Sequence, residues 1–302
     1  QVVNLQLPKG DIDQNSYSSY KERANILEDC NSYFMYCLWN SPGAQDVRDY
    51  LSSRGYSSED IKTMELGFIP SQEKLYTYLR NQKHKEELID EIKLNKAIGE
   101  ENKLSIPYRS SGSITGFIFR TIEPSQTNKY MNSTGLERSK TLFNMKPAKG
   151  DKDIVIVEGF LDALIADARG VDNVVALGGV NLSTEQIRHA ISKGAKKFTL
   201  CLDRDKAGAE NTLKAIDLIV AEGISRVYVA ILPEIPGTKT DPDSLIKELG
   251  VEALKEAIRE ALPYYEYKLL TTLNKYGEIE QERGLQPKDI DSLLDEVVTT
   301  AS

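Results

Sequence analysis

The sequence has few of the residues that build disulfide or zinc scaffolds: its 302 residues include three cysteines and two histidines. Three cysteines are too few for a disulfide framework, which favours reduced thiols inside a cell. Cys30 and Cys37 lie seven positions apart, and no histidine follows them at zinc-finger spacing. We therefore predict no zinc site within this chain.

Long apolar runs are also missing. The longest strand-like apolar run is Ile154–Val157, whereas a membrane-spanning helix needs about 18 to 20 apolar residues. The chain starts at Gln1 without Met, and its first residues lack the basic and apolar regions of a signal peptide. We expect no membrane partner, a cytoplasmic location, and a chain that is part of a longer protein.

The overall composition is that of a folded globular protein, with 40% hydrophobic and 28% charged residues. At roughly 150 residues per domain, the length predicts about two domains. The net charge is −8, which by itself argues weakly against nucleic-acid binding. However, residues 103–150 contain eight basic and two acidic residues, a local charge of +6. This basic block is a candidate phosphate-contacting surface.

Changes in pattern divide the chain into four predicted parts. Residues 1–20 are polar with little periodicity and are predicted to form an extension. Residues 21–149 begin with helices and continue with two strands that form a hairpin. Residues 150–250 alternate short apolar runs with helices, which predicts a parallel sheet covered on both faces. Residues 251–302 are helical, so the predicted fold class is α/β with an α+β amino-terminal part.

Local signals place several helix ends. Gly55 follows the last periodic residue of one helix and predicts its end. Ser57 and the two acidic residues after Ser58 predict the start of the next helix. Ser183 and Gln186 resemble a capping box that opens a helix running to Ser192.

Acidic side chains follow three of the apolar runs. Glu158 comes directly after Ile154–Val157, Asp203 and Asp205 come after Phe198–Leu202, and a loop after Arg226–Leu232 carries two more aspartates. In an open parallel sheet, ligands bind outside the carboxyl ends of the strands. We therefore expect these carboxylates to lie near each other.

Clustered carboxylates repel each other unless a cation lies between them. Carboxylate oxygens suit Mg²⁺ or Mn²⁺, which keep several waters and bind one or two carboxylates together with substrate phosphates. The alternative for each acidic pair alone is a helix cap, because aspartate is common there. Gly159 is either needed for space near a cation or merely for a turn of the chain. The coincidence at three strand ends favours a metal site.

Four motifs together resemble a Toprim domain, which occurs in bacterial primases, topoisomerases and some nucleases. They are Glu158-Gly159-Phe160-Leu161-Asp162, Leu177-Gly178-Gly179, Asp203-Arg204-Asp205-Lys206-Ala207-Gly208 and Asp241-Pro242-Asp243. Phe160 stands where the family usually has Tyr.

Upstream motifs resemble the basic subdomain of bacterial DnaG-type primases, in the same order and at similar spacing. They are Ile106-Pro107-Tyr108-Arg109, Gly116-Phe117-Ile118-Phe119-Arg120, Lys129-Tyr130-Met131-Asn132-Ser133 and Leu142-Phe143, preceded by Tyr50–Gly55 and Leu66–Pro70. The resemblance spans roughly residues 33–250. The zinc-binding module that precedes this core in the family has no counterpart in the sequence. The chain is similar to an isolated primase catalytic core, with a phage or mobile-element primase-helicase as one source.

The resemblance assigns roles to individual positions. Glu158, Asp203 and Asp205 would be the principal metal-binding and catalytic carboxylates, and Glu158 would act either as a ligand or as the general acid/base. Supporting ligands or ligands to a second ion would be Asp162, Asp241 and Asp243. Nucleotide or template contacts would come from Arg120, Lys129 and Asn132, extended by Arg54, Lys103, Arg109, Arg138 and Lys140.

The reaction that the resemblance implies is synthesis of short RNA primers on single-stranded DNA from ribonucleoside triphosphates, with Mg²⁺ or Mn²⁺. A replicative helicase, in trans or fused, would be the protein partner, at the nucleoid or replication fork of a bacterium or in a phage-infected cell. Two alternatives remain open. A Toprim nuclease would cleave DNA without nucleotides, and an inactive module would only bind nucleic acid or a helicase.

Overall fold

The computed structural model describes residues 14–92, 98, 101, 103–110, 112–123, 125–126, 128–146, 152–179 and 181–301. These residues form two compact units. The first contains the described residues of Gln1–Asp49, Glu65–Tyr108 and Ser113–Leu136, and the second contains those of Tyr50–Met64, Arg109–Gly112 and Glu137–Ser302. None of the helices in these ranges combines the length and apolar character needed to cross a membrane.

The chain up to residue 132 forms five α-helices and four strands within the described ranges. They are α1 (Gln14–Asn40), α2 (Gln45–Ser53), α3 (Ser58–Thr63), β1 (Gly67–Phe68), α4 (Gln72–Asn81), α5 (Glu86–Glu91), β2 (Leu104–Ser110), β3 (Ser113–Arg120) and β4 (Tyr130–Asn132). The first unit has a sheet of order β1-β2-β3-β4, in which β1 pairs antiparallel with β2 and β3 with β4. Helix α1 packs on this sheet: Phe34 contacts Phe117 and Phe119 edge-on, with ring centroids 5.3 and 6.2 Å apart.

Helix α1 begins inside the segment that was predicted to be a polar extension. Its first residue is Gln14, although residues 14–20 are rich in Ser and Tyr, and residues 1–13 lie outside the described range. From Ile26 onward, one face of the helix is buried, whereas Tyr36 and Trp39 are exposed; the buried residues are Ile26, Leu27, Cys30, Phe34, Cys37 and Leu38. Because adding residues to an existing helix is far easier than starting one, this buried half can extend the helix back through the polar stretch.

The second unit continues with alternating strands and helices. They are β5 (Lys152–Val157), α6 (Phe160–Ala168), β6 (Val174–Ala176), α7 (Thr184–Ser192), β7 (Ala195–Leu200), α8 (Lys206–Ala221), β8 (Val227–Val229), α9 (Pro242–Leu249), α10 (Val251–Arg259), β9 (Leu262–Pro263), α11 (Tyr264–Arg283) and α12 (Pro287–Ala301). The sheet order is β6-β5-β7-β8-β9. Strands β6, β5, β7 and β8 are parallel, and β9 is antiparallel to β8.

The α/β fold class predicted from the sequence is confirmed by these two sheets and their covering helices. The predicted helix starts at Ser57 and Ser183 are confirmed by capping boxes with Asp60 and Gln186. The predicted parallel sheet is confirmed except at its edge, where β9 is antiparallel. The predicted domain boundaries stay predictions.

Candidate active site

Two neighbouring parallel strands bring the first pair of predicted carboxylates together. Strands β5 and β7 are adjacent, so Glu158 after β5 lies beside Asp203 after β7. The backbone N–H of Asp203 donates a hydrogen bond to Glu158 Oε1 at 3.2 Å. The predicted meeting of these strand ends is therefore observed within the second unit.

Asp205 follows at the start of the next helix. It is the N-cap of α8, and its Oδ1 accepts a hydrogen bond from the Gly208 N–H at 2.7 Å. A Cβ at Gly208 would overlap the carbonyl oxygen of Asp203 and would come within 3.3 Å of Glu158 Oε1. The glycine thus lets the first turn of α8 approach both acidic residues closely.

A lysine bridges this aspartate pair. Lys239 Nζ lies 2.7 Å from Asp203 Oδ2 and 2.9 Å from Asp205 Oδ2. Partial burial opposes the charged ammonium, but its hydrogen bonds to the two carboxylates raise the pKa of Lys239 above its usual value. The sequence reasoning missed this residue. The available signal was a lysine two positions before Asp241, in the loop that already carried the third acidic pair.

The three carboxylates differ in the direction in which their pKa values are shifted. Burial, reinforced by the charge of Asp203, raises the pKa of Glu158. Burial also raises the pKa of Asp203, although the Lys239 ammonium opposes the shift. The pKa of Asp205 is lowered by the Gly208 N–H and by Lys239. Burial therefore disfavours the charged forms of Glu158 and Asp203, and a bound cation would oppose that shift.

Asp162 lies deeper. It is buried in the first turn of α6, where its Oδ2 accepts a hydrogen bond from the Gly159 N–H at 3.0 Å. Burial and the nearby charges of Asp241 and Asp243 raise its pKa well above the usual range. A Cβ at Gly159 would overlap the Asp162 carboxylate. The structure therefore gives Gly159 a reason that neither predicted role named: the group that needs the space is the Asp162 carboxylate.

The two aspartates of the third acidic pair, Asp241 and Asp243, have different hydrogen-bond partners. Asp241 caps α9, and its Oδ1 accepts a hydrogen bond from the Ser244 N–H at 2.7 Å. Both oxygens of the buried Asp243 accept protein donors, Arg54 Nη2 at 2.5 Å and the Tyr56 hydroxyl at 2.5 Å. Asp243 stays a predicted ligand, but a cation would have to displace these donors. The same contact gives Arg54 a position beside the acidic residues.

The donor set fits a hard divalent cation in chemistry, although no three acidic, histidine or cysteine side chains in the described ranges converge as a formed metal centre. Glu158, Asp203 and Asp205 supply carboxylate oxygens from adjacent elements. Asp203 Oδ1 is buried and has no hydrogen-bond partner among the described residues. Buried polar atoms are ordinarily satisfied, so this oxygen fits the chemistry of a metal ligand. Lys239 already places one positive charge against the pair.

The predicted nucleotide-contacting residues of the first unit lie on and around its sheet. Arg120 on β3 and Tyr130 on β4 are cross-strand neighbours, with the guanidinium 4.8 Å from the ring centroid. Lys129, just before β4, is exposed, and its carbonyl accepts the Thr121 N–H at 3.0 Å. Asn132 Oδ1 is buried without a hydrogen-bond partner in the described part of the chain. Lys103 is half-buried immediately before β2.

The predicted basic residues of the second unit also contact other protein groups. Arg138 Nη1 donates to the Gly178 carbonyl at 2.6 Å and lies 5.9 Å from the Phe160 ring. Arg109 donates to the Gly112 carbonyl at 3.2 Å. Lys140 forms an exposed ion pair with Glu137 at 2.8 Å. Their assignment to nucleotide or DNA binding stays a prediction, and Lys149 of the basic block lies outside the described residues.

Two protein families match the chain. Residues 33–149 match the family described as DNA primase catalytic core, N-terminal domain, and residues 155–246 match a Toprim-like family. The DNA primase of Staphylococcus aureus strain COL is 29% identical over 274 residues, which cover 84% of this chain and 45% of that protein. The Staphylococcus epidermidis DNA primase is 28% identical over 282 residues, covering 85% and 46%. The chain therefore spans less than half the length of these relatives.

Solved primase structures share the fold. The Aquifex aeolicus primase structure, with zinc-binding and RNA polymerase domains, is 27% identical with a TM-score of 0.71, covering 95% of this chain and 74% of that one. The RNA polymerase domain of Mycobacterium tuberculosis primase DnaG is 21% identical with a TM-score of 0.74, covering 92% and 98%. A DnaG primase catalytic domain bound to single-stranded DNA is 20% identical with a TM-score of 0.68, covering 94% and 97%.

Proposed function

The chain belongs to the DnaG-type DNA primases, and on that premise we propose that it is a primase catalytic core that synthesises short RNA primers on single-stranded DNA. The observation that carries the proposal is the cluster of Glu158, Asp203 and Asp205 at adjacent strand ends of the Toprim-like domain. This cluster follows the primase N-terminal domain in the same chain. The enzyme class is a DNA-directed RNA polymerase, a nucleotidyltransferase.

The proposed reaction joins two ribonucleotides. The 3′-hydroxyl of one attacks the α-phosphorus of the next, the bond from that phosphorus to the bridging oxygen breaks, and pyrophosphate leaves. Glu158, Asp203 and Asp205 would hold Mg²⁺ or Mn²⁺, with Asp162, Asp241 and Asp243 as further ligand candidates. The chemistry supplied by a bound divalent ion is a lower pKa of the attacking hydroxyl and neutralisation of charge on the phosphates.

The chain's own residues have two further tasks. Glu158, whose pKa is raised, would either hold the ion or accept the proton of the hydroxyl. Arg120, Lys129 and Asn132 would orient the triphosphate or the template backbone. Positive side chains in fixed positions stabilise negative charge that develops in the transition state, which is worth more than binding the ground state.

The proposed partners are the template strand, ribonucleoside triphosphates and a replicative helicase, either in trans or fused. They follow from family membership, as does a cytoplasmic site of action at the replication fork. The structure of a related catalytic domain with single-stranded DNA supports the template class through its shared fold.

The test is primer synthesis with labelled ribonucleotides on single-stranded DNA in Mg²⁺ or Mn²⁺. The double variant Asp203→Asn/Asp205→Asn keeps the side-chain shape and removes both charges. We expect its RNA products to fall by at least about 100-fold, the scale of losing a main electrostatic contribution to the transition state. The matched control is Glu210→Gln, which neutralises an exposed carboxylate on the same helix α8.

Three outcomes separate the possibilities. RNA products that vanish in the double variant and persist in the control support the proposal. DNA cleavage without nucleotides would support the Toprim nuclease instead. Unchanged RNA synthesis by the double variant would show that these aspartates are not the catalytic carboxylates.

A further inference from the structure

Lys239 occupies a central position among the acidic residues. It lies in the loop between β8 and α9, and its ammonium contacts one oxygen of each of two aspartates, Asp203 and Asp205. The Asp203 side chain is 12% exposed, whereas the Lys239 side chain is 55% exposed. The lysine therefore reaches from the surface onto a largely buried carboxylate.

The backbone around Lys239 is held in place independently of its side chain. The Arg204 N–H donates to the carbonyl of Thr240 at 3.0 Å, which joins the loop to the segment between the two aspartates. The Ser244 hydroxyl donates to the carbonyl of Lys239 at 3.1 Å. Because these bonds hold the main chain, the flexible and exposed side chain can leave the carboxylates without unfolding the loop.

One positive charge between two carboxylates relieves the repulsion that would otherwise act between them. Asp205 Oδ1 already accepts the Gly208 N–H, so a divalent cation that bound both aspartates would need Asp205 Oδ2, which now faces the ammonium, whereas Asp203 also offers its Oδ1, to which no described residue donates a hydrogen bond. Two cations cannot share Asp205 Oδ2 at contact distance, since like charges at that separation repel strongly. Binding of the lysine and binding of the metal to this pair therefore exclude each other.

We propose that Lys239 is a built-in counter-ion of the Asp203/Asp205 pair, which holds the pair together in the metal-free protein and must be displaced before a divalent cation binds both aspartates. This inference rests on the proposed function, because it concerns the metal site of the same reaction. In this proposal the Lys239 ammonium competes with the metal ion for the two aspartates. The apparent metal affinity is then lower than the intrinsic affinity, by the fraction of molecules in which the ammonium has left.

The test measures Mn²⁺ binding directly, from the electron paramagnetic resonance signal of free Mn²⁺, in the whole 302-residue chain. Lys239→Met keeps the length of the side chain and removes the charge. We expect it to bind Mn²⁺ about tenfold more tightly, the scale of losing a charge-assisted hydrogen-bonded competitor. Without metal, the variant should have a lower melting temperature than the parent chain, and saturating Mn²⁺ should abolish that difference.

Two controls separate competition from a general change in charge. Lys206→Met removes an exposed positive charge next to Asp205, and Lys206 forms no ion pair with any described residue. We expect it to change the Mn²⁺ affinity by less than about threefold, as for a screened surface charge. Lys239→Arg retains a cation and should bind Mn²⁺ no more tightly than the parent.

Unchanged or weaker Mn²⁺ binding in Lys239→Met would overturn the inference, while the proposed function would stand as long as the parent chain binds Mn²⁺. Equal tightening in Lys206→Met and Lys239→Met would overturn it as well, since the effect would then be one of net charge. If the parent chain binds no Mn²⁺, both the inference and the metal-dependent reaction fail. Circular dichroism confirms that each variant is folded before its affinity is compared.

Discussion

Gly208 is the residue on which the geometry of the carboxylate cluster depends most directly. Gly208→Ala would place a methyl group against the Asp203 carbonyl oxygen, which belongs to the backbone and cannot move aside. We expect a loss of about 1–3 kcal/mol in the free energy of unfolding, together with weaker Mn²⁺ binding, because α8 must shift away from Asp203 and Glu158. Urea unfolding and a Mn²⁺ titration measure the two effects.

The matched control is a second helical glycine. A Cβ at Gly277 in α11 meets no atom within 4 Å. Gly277→Ala should therefore raise stability by about 0.5–1 kcal/mol, the ordinary preference of a helix for alanine, and leave Mn²⁺ binding unchanged. Equal effects of the two substitutions would contradict the close approach that is argued for Gly208.

The acidic residues of the candidate site show which of its features could be predicted from the sequence. Glu158, Asp203 and Asp205 could be found because their positions follow from strand ends, and the strand ends follow from local apolar runs. The contacts of Asp243 with Arg54 and Tyr56 could not, because they join residues almost 190 positions apart. Lys239 could have been placed near the acidic residues from its position two residues before Asp241, but no local pattern shows that its ammonium meets Asp203 and Asp205.

At the scale of elements, Asp60 joins two helices and makes stability depend on pH. It lies in the first turn of α3 and forms two hydrogen bonds of 2.6 Å with Arg169, which follows α6. Hydrogen bonding to Arg169 lowers the pKa of Asp60 to about 2. A carboxyl whose pKa is lower in the folded state contributes stability above its unfolded value of about 3.9. That contribution is lost as the pH falls from about 4 toward 2.

The prediction is tested by comparing Arg169→Met with the parent chain at two pH values. After allowance for solvent screening, we expect the variant to be less stable by about 1 kcal/mol at pH 6 and by about half as much at pH 3. Urea unfolding at both pH values measures the difference. The control Arg188→Met breaks an exposed ion pair with Glu222 and should give no resolvable difference at either pH. A stability difference for Arg169→Met that grows toward pH 3 would contradict the argument.

Elements defined by local signals were predictable, and elements defined by tertiary pairing were not. The helix predicted to open at the Ser183/Gln186 capping box and to run to Ser192 is α7, which ends at Ser192. The two-residue strand Leu262–Pro263 is too short for any periodicity and exists because it pairs with β8. Its proline is tolerated because an edge strand has one side without ladder hydrogen bonds. Strand β1, also two residues long, has the same origin in its pairing with β2.

At the scale of the whole molecule, the basic residues of the basic block differ in whether they already contact another protein group. Arg138 and Lys146 contact Gly178 and Asp167 within the second unit. In the first unit, Lys103 and Lys129 form no ion pair with a described residue. A charge that is already paired gains less from a phosphate, since the existing partner must be given up. The capacity for phosphate contact therefore concentrates on the first unit's cations, although the chain as a whole carries −8.

This distribution predicts the salt dependence of template binding. Each phosphate neutralised on single-stranded nucleic acid contributes about 0.7 to the slope of log affinity against log salt concentration, because bound counter-ions are released. Lys129→Met should therefore weaken binding of a single-stranded DNA oligonucleotide and lower that slope by about 0.7. Fluorescence anisotropy at several salt concentrations measures both quantities. Lys214→Met removes an exposed charge from α8, outside the basic block, and should leave the slope unchanged. If the two variants lower the slope equally, binding responds to net charge and Lys129 makes no phosphate contact of its own.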